Sequence, residues 1–445
     1  MLHGVGSRNP SAPTKERMSE ATPRTRGLWA WIPTLYLAEG LPYVVVMTVS
    51  VVMYKGFGIS NTDIALYTSW LYLPWVVKPL WSPVVDILGT RRRWIWATQL
   101  VVGAALAGVA LVIPAPHFFR WTLVFFWLLA FDSATHDIAA DGFYMLATTE
   151  QQQAFFVGVR SMFYRVATIA GQGLLVMLAG ALQSRTGDAR FAWSVAMGAL
   201  AALFLGFGSW HRFVLARPDV DRPGDARRIP EFVRAFLGTF GSFFRKRRIA
   251  VLLLFLLLYR LGEAQLVKMV SPFLLDPRAG GGLGLSTTQV GFVYGTVGIL
   301  ALTVGGILGG WAAARHGLRA WLWWMLLAIH LPDAAFIYLA YAQPTSLPVI
   351  LLWVAIEQFG YGFGFTAYVL YMIYIARGEH QTAHYAICTG FMALGMMIPG
   401  MWSGWLQDHI GYRHFFVGVI LATIPSFLVT LALPLDREFG RKRAA

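Results

Sequence analysis

Residues 58–65 read GISNTDIA, and residues 284–291 read GLSTTQVG, 226 positions later. A second pair, GALQSRTG at 180–187 and GWLQDHIG at 404–411, recurs at an offset of 224. Glu39 and Glu263 share that offset, as do Arg91 and Arg315. Four agreements near one offset mark two copies of a single plan, the kind of weak internal symmetry that duplicated membrane folds retain.

The surrounding chain is strongly apolar. Of 445 residues, 57% are hydrophobic and 13% charged, where a soluble domain carries about 25% charged residues. Mean hydropathy is +0.57. A membrane helix needs about 20 apolar residues. Such stretches occur twelve times, near 29–54, 64–84, 93–114, 118–146, 155–182, 190–211, 249–275, 288–313, 320–341, 348–375, 382–405 and 414–434, here spans 1 to 12. The reading is an all-α polytopic membrane protein with twelve transmembrane helices. A barrel would show short alternating segments instead. Cys388 is the one cysteine, so neither an intrachain disulfide nor a thiolate zinc site is expected.

The net charge of +14 raises the question of nucleic acid. Its distribution argues against that partner. With both termini placed in the cytoplasm, 25 of the 36 Lys and Arg fall in the tails and even-numbered connections, against six on the opposite face. This is the positive-inside asymmetry of a multi-pass protein. The layout is then a polar, disordered cytoplasmic tail (1–28, with Met18 as a second candidate start), a six-helix bundle (29–211), a cytoplasmic linker (212–248), a second six-helix bundle (249–434) and a basic cytoplasmic tail (435–445). In the linker, Phe232, Phe236, Phe240, Phe243 and Phe244 recur at helical spacing beside Arg234 and the basic cluster 245–248. That pattern predicts an amphipathic helix on the inner leaflet.

Two six-span halves joined by a long central loop are the plan of the major facilitator superfamily. The connection SPVVDILGTRRRW (82–94) places Asp86, Gly89 and Arg91 to Arg93 where that superfamily carries its loop pattern, with Ser82 replacing the leading glycine. An acid and a basic turn at helix ends can latch onto neighbours in one state and release them in another. The resemblance implies a pseudo-symmetric 6+6 fold with a solute site between the halves.

Intramembrane charges are costly and face cavities or partners. Here they concentrate in spans 1, 4, 7 and 10, which line the central cavity in the superfamily plan. Glu39 lies in span 1. Asp132, His136, Asp137 and Asp141 lie in span 4, within FDSATHDIAADGFYMLA (131–147). Arg260, Glu263 and Lys268 lie in span 7, and Glu357 in span 10 beside Gln358 and Tyr361. His330 and Asp333 in span 9 are an exception. At 100° per residue, Asp132 and His136 share one face of span 4 and Asp137 and Asp141 another. The second pair can meet Lys78 of span 2 and Arg165 of span 5, forming with Asp86 and Arg91 a charge network or latch. Asp132 and His136 have no cation on their own helix. With Glu39 and Glu263 they are the candidates for proton coupling. Tyr36, Tyr43, Tyr259, Arg260, Lys268, Glu357, Gln358 and Tyr361 are candidates for holding solute, because aromatic rings stack on pyranoses and guanidinium groups bind carboxylates.

A narrower resemblance follows from Gly40-Leu41-Pro42; from Lys78, Leu80, Trp81, Ser82, Pro83 and Asp86; from Ser133, Asp137, Ile138 and Asp141; and from Tyr164-Arg165. Over roughly 35–175 the chain resembles AmpG-type permeases, grouped with acetyl-CoA transporters. That family imports anhydro-muropeptides, fragments of peptidoglycan, using the proton gradient. The resemblance implies a bacterial inner-membrane secondary importer of a polar sugar- or peptide-containing solute, monomeric, with protons and the lipid bilayer as its other partners. Two residues depart from the family pattern: His136 stands where glutamine is usual, and Asp132 is outside it. Export of drugs, siderophores or metabolites, or transport of oligosaccharide or acyl-CoA, is the alternative. No GxxxxGK[ST], HExxH or GxSxG motif is present, so no enzyme, cofactor or metal is expected.

Overall fold

The computed structural model describes residues 25–223, 229–378, 380–436 and 439; among these the chain is helical throughout, with no strand. Ten stretches are long and apolar enough to cross a membrane by themselves, from Gly27–Gly56 to Ala383–Leu431. The last contains two spans, because Gly411 (φ 72°) breaks the helix inside it. Span 2 makes up the count of twelve. It runs as Asn61–Trp70 and Leu73–Leu88, interrupted just ahead of Pro74. Its prolines, Lys78 and Asp86 dilute the apolar signal that the other spans carry.

The repeated stretches turn out to be helix punctuation. Gly58 and Gly284 both adopt positive φ, 78° and 66°. Two residues later, Ser60 and Ser286 cap the next helix, their Oγ atoms accepting from the N–H of Asp63 (3.0 Å) and Gln289 (3.2 Å). The second pair is a stop: Gly187 (φ 70°) and Gly411 (φ 72°) end spans 5 and 11 in the left-handed region. Starts and stops thus recur at the internal offset because the two halves are built alike.

The same stretches seal the halves together at the end of the molecule opposite the termini. Span 2 meets span 11, where Asn61 donates to Gln407 (2.5 Å) and Tyr412 (3.0 Å), and Asp408 accepts from Thr62 N–H (3.0 Å) and Oγ1 (2.7 Å). The pseudo-symmetric partner is span 8 on span 5, with Thr287 donating to Gln183 (3.5 Å). Lys55 pairs across the seam with Asp276 at 2.7 Å. Glycine permits the approach. A Cβ at Gly404 would lie 1.9 Å from the Asn61 carbonyl, and one at Gly180 would lie 2.5 Å from Thr288 N. Gly404→Leu and Gly180→Leu are therefore each expected to prevent this seal from closing. Maleimide labelling of Thr62→Cys in a Cys388→Ser background should rise several-fold in both, with loss of transport. Unchanged labelling would mean the seal tolerates the bulk.

The linker helix spans Ile229–Phe244. Its C-terminal end packs against the second half. Phe243 is fully buried, stacked on Phe391 (6.4 Å) and edge-on to His384 (5.5 Å), so the helix docks onto span 11, while Phe244 stays 38% exposed. Phe232 and Phe236 have side chains outside the described residues. Asp221, earlier in the linker, accepts from the backbone N–H groups of Arg91 (2.8 Å) and Arg92 (3.0 Å), capping span 3.

Candidate functional site

Spans 1 and 4 run antiparallel, which brings Tyr36 opposite Asp141 and Glu39 opposite Asp137. The Tyr36 hydroxyl donates to Asp141 (3.4 Å), and the Glu39 and Asp137 carboxyls lie within hydrogen-bonding reach of one another. Asp137 also pairs with Lys78 of span 2. Asp141 pairs with Arg160 of span 5, whose guanidinium lies over the rings of Tyr36 (4.4 Å) and Tyr144 (5.0 Å). Glu39 Oε2 is buried without a hydrogen-bond partner among the described residues. The Asp141 side chain is 43% exposed, whereas Glu39 is buried.

Two expectations for span 4 change here. The cation on Asp141 is Arg160, not Arg165; these two arginines point about 140° apart on span 5, and only the first reaches Asp141. Arg165 instead lies within electrostatic reach of Tyr164 and of Tyr361 in the other half. His136 does not join Asp132 in a polar pair either. It faces spans 3 and 6, where Gln99 donates to its Nε2 (2.9 Å) and accepts from His211 Nδ1 (2.7 Å), leaving His211 Nε2 to accept from Thr34 (2.9 Å). Asp132 keeps Oδ2 buried with no hydrogen-bond partner among the described residues. His136 thus packs among spans 3 and 6, while Asp137 and Asp141 carry the ion pairs with Lys78 and Arg160. Gln99→Leu is expected to strand His136 and His211 at about 1–3 kcal/mol per group, lowering the melting temperature while folded protein still transports. Unchanged melting with lost transport would return His136 to a direct role.

Among the latch residues, Asp86 has its side chain outside the described residues. Arg91 lies against span 4: a Cβ on Gly142 would fall 2.2 Å from its Nε, one residue from Asp141.

In the second half, span 7 breaks at Tyr259–Arg260, between helices Ile249–Leu258 and Leu261–Leu275. Arg260 reaches span 10, donates to the Tyr361 hydroxyl and lies over the rings of Tyr361 (5.2 Å) and Phe365 (4.8 Å). Its charge also acts on Tyr43 and Tyr72 of the first half. Tyr43 is edge-on to Trp75 (5.1 Å). Lys268 crosses the seam, donating to Thr68 (2.9 Å) below the ring of Tyr72 (5.3 Å). Tyr72 and Trp75 sit beyond the break in span 2, and residue type alone did not single them out. Tyr259 belongs elsewhere. Its ring stacks on Tyr368 (5.2 Å) and its hydroxyl donates to the Gly364 carbonyl (3.1 Å), so it packs spans 7 and 10 together. Gln358 donates to Glu357 (3.1 Å), and Glu357 gathers with Glu263 and Asp333, with Glu263 in electrostatic reach of Arg260 and Tyr361.

Cations and aromatic rings thus meet between the halves, and a network of carboxyls and cations joins spans 1, 2, 4 and 5. Solved structures share this architecture. A bacterial homologue of the human lysosomal transporter Spinster, in an inward-facing unoccupied conformation, superposes with a TM-score of 0.66 over 92% of this chain and 96% of its own, at 18% identity. A D-xylose–proton symporter does so with a TM-score of 0.65 over 92% and 98%, at 12% identity. Among curated proteins, the anhydromuropeptide permease of Escherichia coli K12 is 25% identical over 416 residues, covering 92% of this chain and 80% of its own. A chain of Rickettsia conorii named as a transporter, AmpG 4, is 26% identical over 415 residues, covering 90% and 94%. The BT1 family profile matches residues 38–265, half of the chain. With two pseudo-symmetric six-span halves and a polar seam between them, the chain belongs to the BT1 family and is a secondary transporter of the major facilitator fold.

Proposed function

We propose that the protein imports a polar, anionic solute containing sugar or peptide, of the anhydro-muropeptide class, across the bacterial inner membrane in symport with protons. The observation that carries this reading is the placement of Arg260, with Tyr361, opposite Tyr43 and Tyr72 at the seam of the halves. A guanidinium there suits a carboxylate, and the rings suit sugar faces. The relatives named for anhydromuropeptide transport support the solute class.

Both termini are placed in the cytoplasm, in keeping with the excess of Lys and Arg on that side. The sealed end then faces outward, and the Asp141 end of the carboxyl network faces the cytoplasm. Coupling is assigned to Glu39 and Asp137. Two carboxyls in contact hold a shared proton more readily than two charges, and Lys78 offsets the remaining one. Release of the proton inward leaves Glu39 charged and competing with Asp137 for Lys78, which loosens spans 1, 2 and 4 for the return step. The pathway is complete within one chain, which suits a monomer. Proteoliposomes should accumulate labelled anhydro-muropeptide under an inward proton gradient. No accumulation under that gradient, with uptake of unrelated solutes instead, would overturn the assignment.

A further inference from the structure

We propose that the C-terminal half holds one hard cation in a buried site formed by Glu263, Asp333 and Glu357. One carboxylate oxygen from each lies within 4.8 Å of the others, a spacing that a single ion with metal–oxygen bonds of about 2.4 Å can bridge. A second observation points to an occupant. Glu263 is 0% exposed and Asp333 1%, yet both oxygens of each lack any hydrogen-bond partner among the described residues. Glu357, 1% exposed, has only the amide of Gln358. Native proteins pair buried carboxylates, because leaving one uncompensated costs several kcal/mol. One oxygen each of Glu263 and Asp333 converges instead on the other and on Glu357.

The backbone converges there too. Glu263 sits in the first turn of the helix that restarts after the break at Tyr259–Arg260. Asp333 ends the turn Leu331–Asp333 that interrupts span 9, where Pro332 has no N–H to continue the ladder. Glu357 comes from continuous span 10. Discontinuous helices around intramembrane ions supply ligands in other transporter folds. The charge count favours a divalent ion: the acids facing the cluster number three, and the one cation acting on it is Arg260, through Glu263. The all-oxygen donor set excludes preference for soft metals. The site is separate from Glu39 and Asp137 and stands whether or not those residues carry protons.

The test is equilibrium binding of radiolabelled calcium, manganese or sodium to the purified full-length protein after chelation and dialysis. One ion per chain is expected, divalent ions displacing sodium, with a rise in melting temperature at saturation. Glu263→Gln and Asp333→Asn should each weaken binding by about tenfold or more, and Glu357→Gln is the alternative if either fails to fold. Saturable sodium binding lost in the same variants would still place a hard cation here. Absence of stoichiometric binding of any of the three ions, or binding untouched by the Glu263→Gln/Asp333→Asn pair, would overturn the site and leave protons as its occupants.

Discussion

Glu39→Gln is expected to abolish proton-driven accumulation while leaving solute exchange intact. Glutamine keeps the shape of the side chain and can still hydrogen-bond Asp137, so span 1 should stay in register with span 4. It cannot release a proton. Proteoliposomes with the variant should equilibrate labelled solute across the membrane and carry out counterflow, yet show no uphill uptake when an inward proton gradient is imposed. The expected contrast is large, because concentrative uptake falls to the equilibrium value rather than by a fraction. Asp137→Asn should behave differently. It removes the partner of Lys78 from a half-buried pair, and breaking a buried pair from one side costs about 3–5 kcal/mol, so loss of folded protein should accompany loss of transport. Retained uphill uptake by Glu39→Gln would exclude this pair as the proton carrier and direct attention to Asp132, whose buried Oδ2 also has no partner among the described residues.

The division into twelve spans and two halves was readable from hydropathy, from the Lys and Arg asymmetry and from the offsets at 58/284 and 180/404. Those features depend on local chemistry, the left-handed glycines and serine caps that any copy of the plan must keep. The helical wheel of span 4 was also sound: Asp137 and Asp141 do point away from His136. What the wheel cannot supply is the rotation of span 4 about its own axis relative to its neighbours. That angle goes with packing against spans 3 and 6, through Gln99 and His211, and it turns the Asp137 face toward Lys78 and Glu39. The choice between Arg160 and Arg165 failed for a related reason, since two cations five residues apart point to different neighbours and either could have met an acid. The place of Tyr259 was not legible because residue type does not reveal that the Gly364 carbonyl of span 10 takes its hydroxyl. The carboxylates of span 9 and span 10 stood out only singly, because their meeting depends on the break at Pro332.

Arg260 is the residue on which solute recognition should depend most. It is 8% exposed, its Nε has no hydrogen-bond partner among the described residues, and the Tyr361 hydroxyl accepts from the far end of its guanidinium. A guanidinium with an unused donor, held between two rings and facing tyrosines of the opposite half, is prepared for a bidentate anion that the protein itself does not provide. Truncating one partner of a desolvated charge pair costs about 2–5 kcal/mol, so Arg260→Gln should weaken binding of an anionic solute by roughly 30-fold to several thousand-fold in a scintillation proximity assay. Arg260→Lys should recover little, because an ammonium cannot form the two-pronged contact or stack as a plane on Phe365. Tyr361→Phe removes only the hydroxyl that steadies the guanidinium and should cost about tenfold, the worth of one hydrogen bond to a charged group at the low end of its range. The order of the three variants matters more than any one value. If Arg260→Lys bound solute as well as the unmodified protein, Arg260 would be acting as a general positive charge, and the solute would need no carboxylate at this position. If Arg260→Gln bound normally, the seam would recognise its cargo through the rings alone, and Lys268, fixed on Thr68 across the same seam, would be left as a bond between the halves.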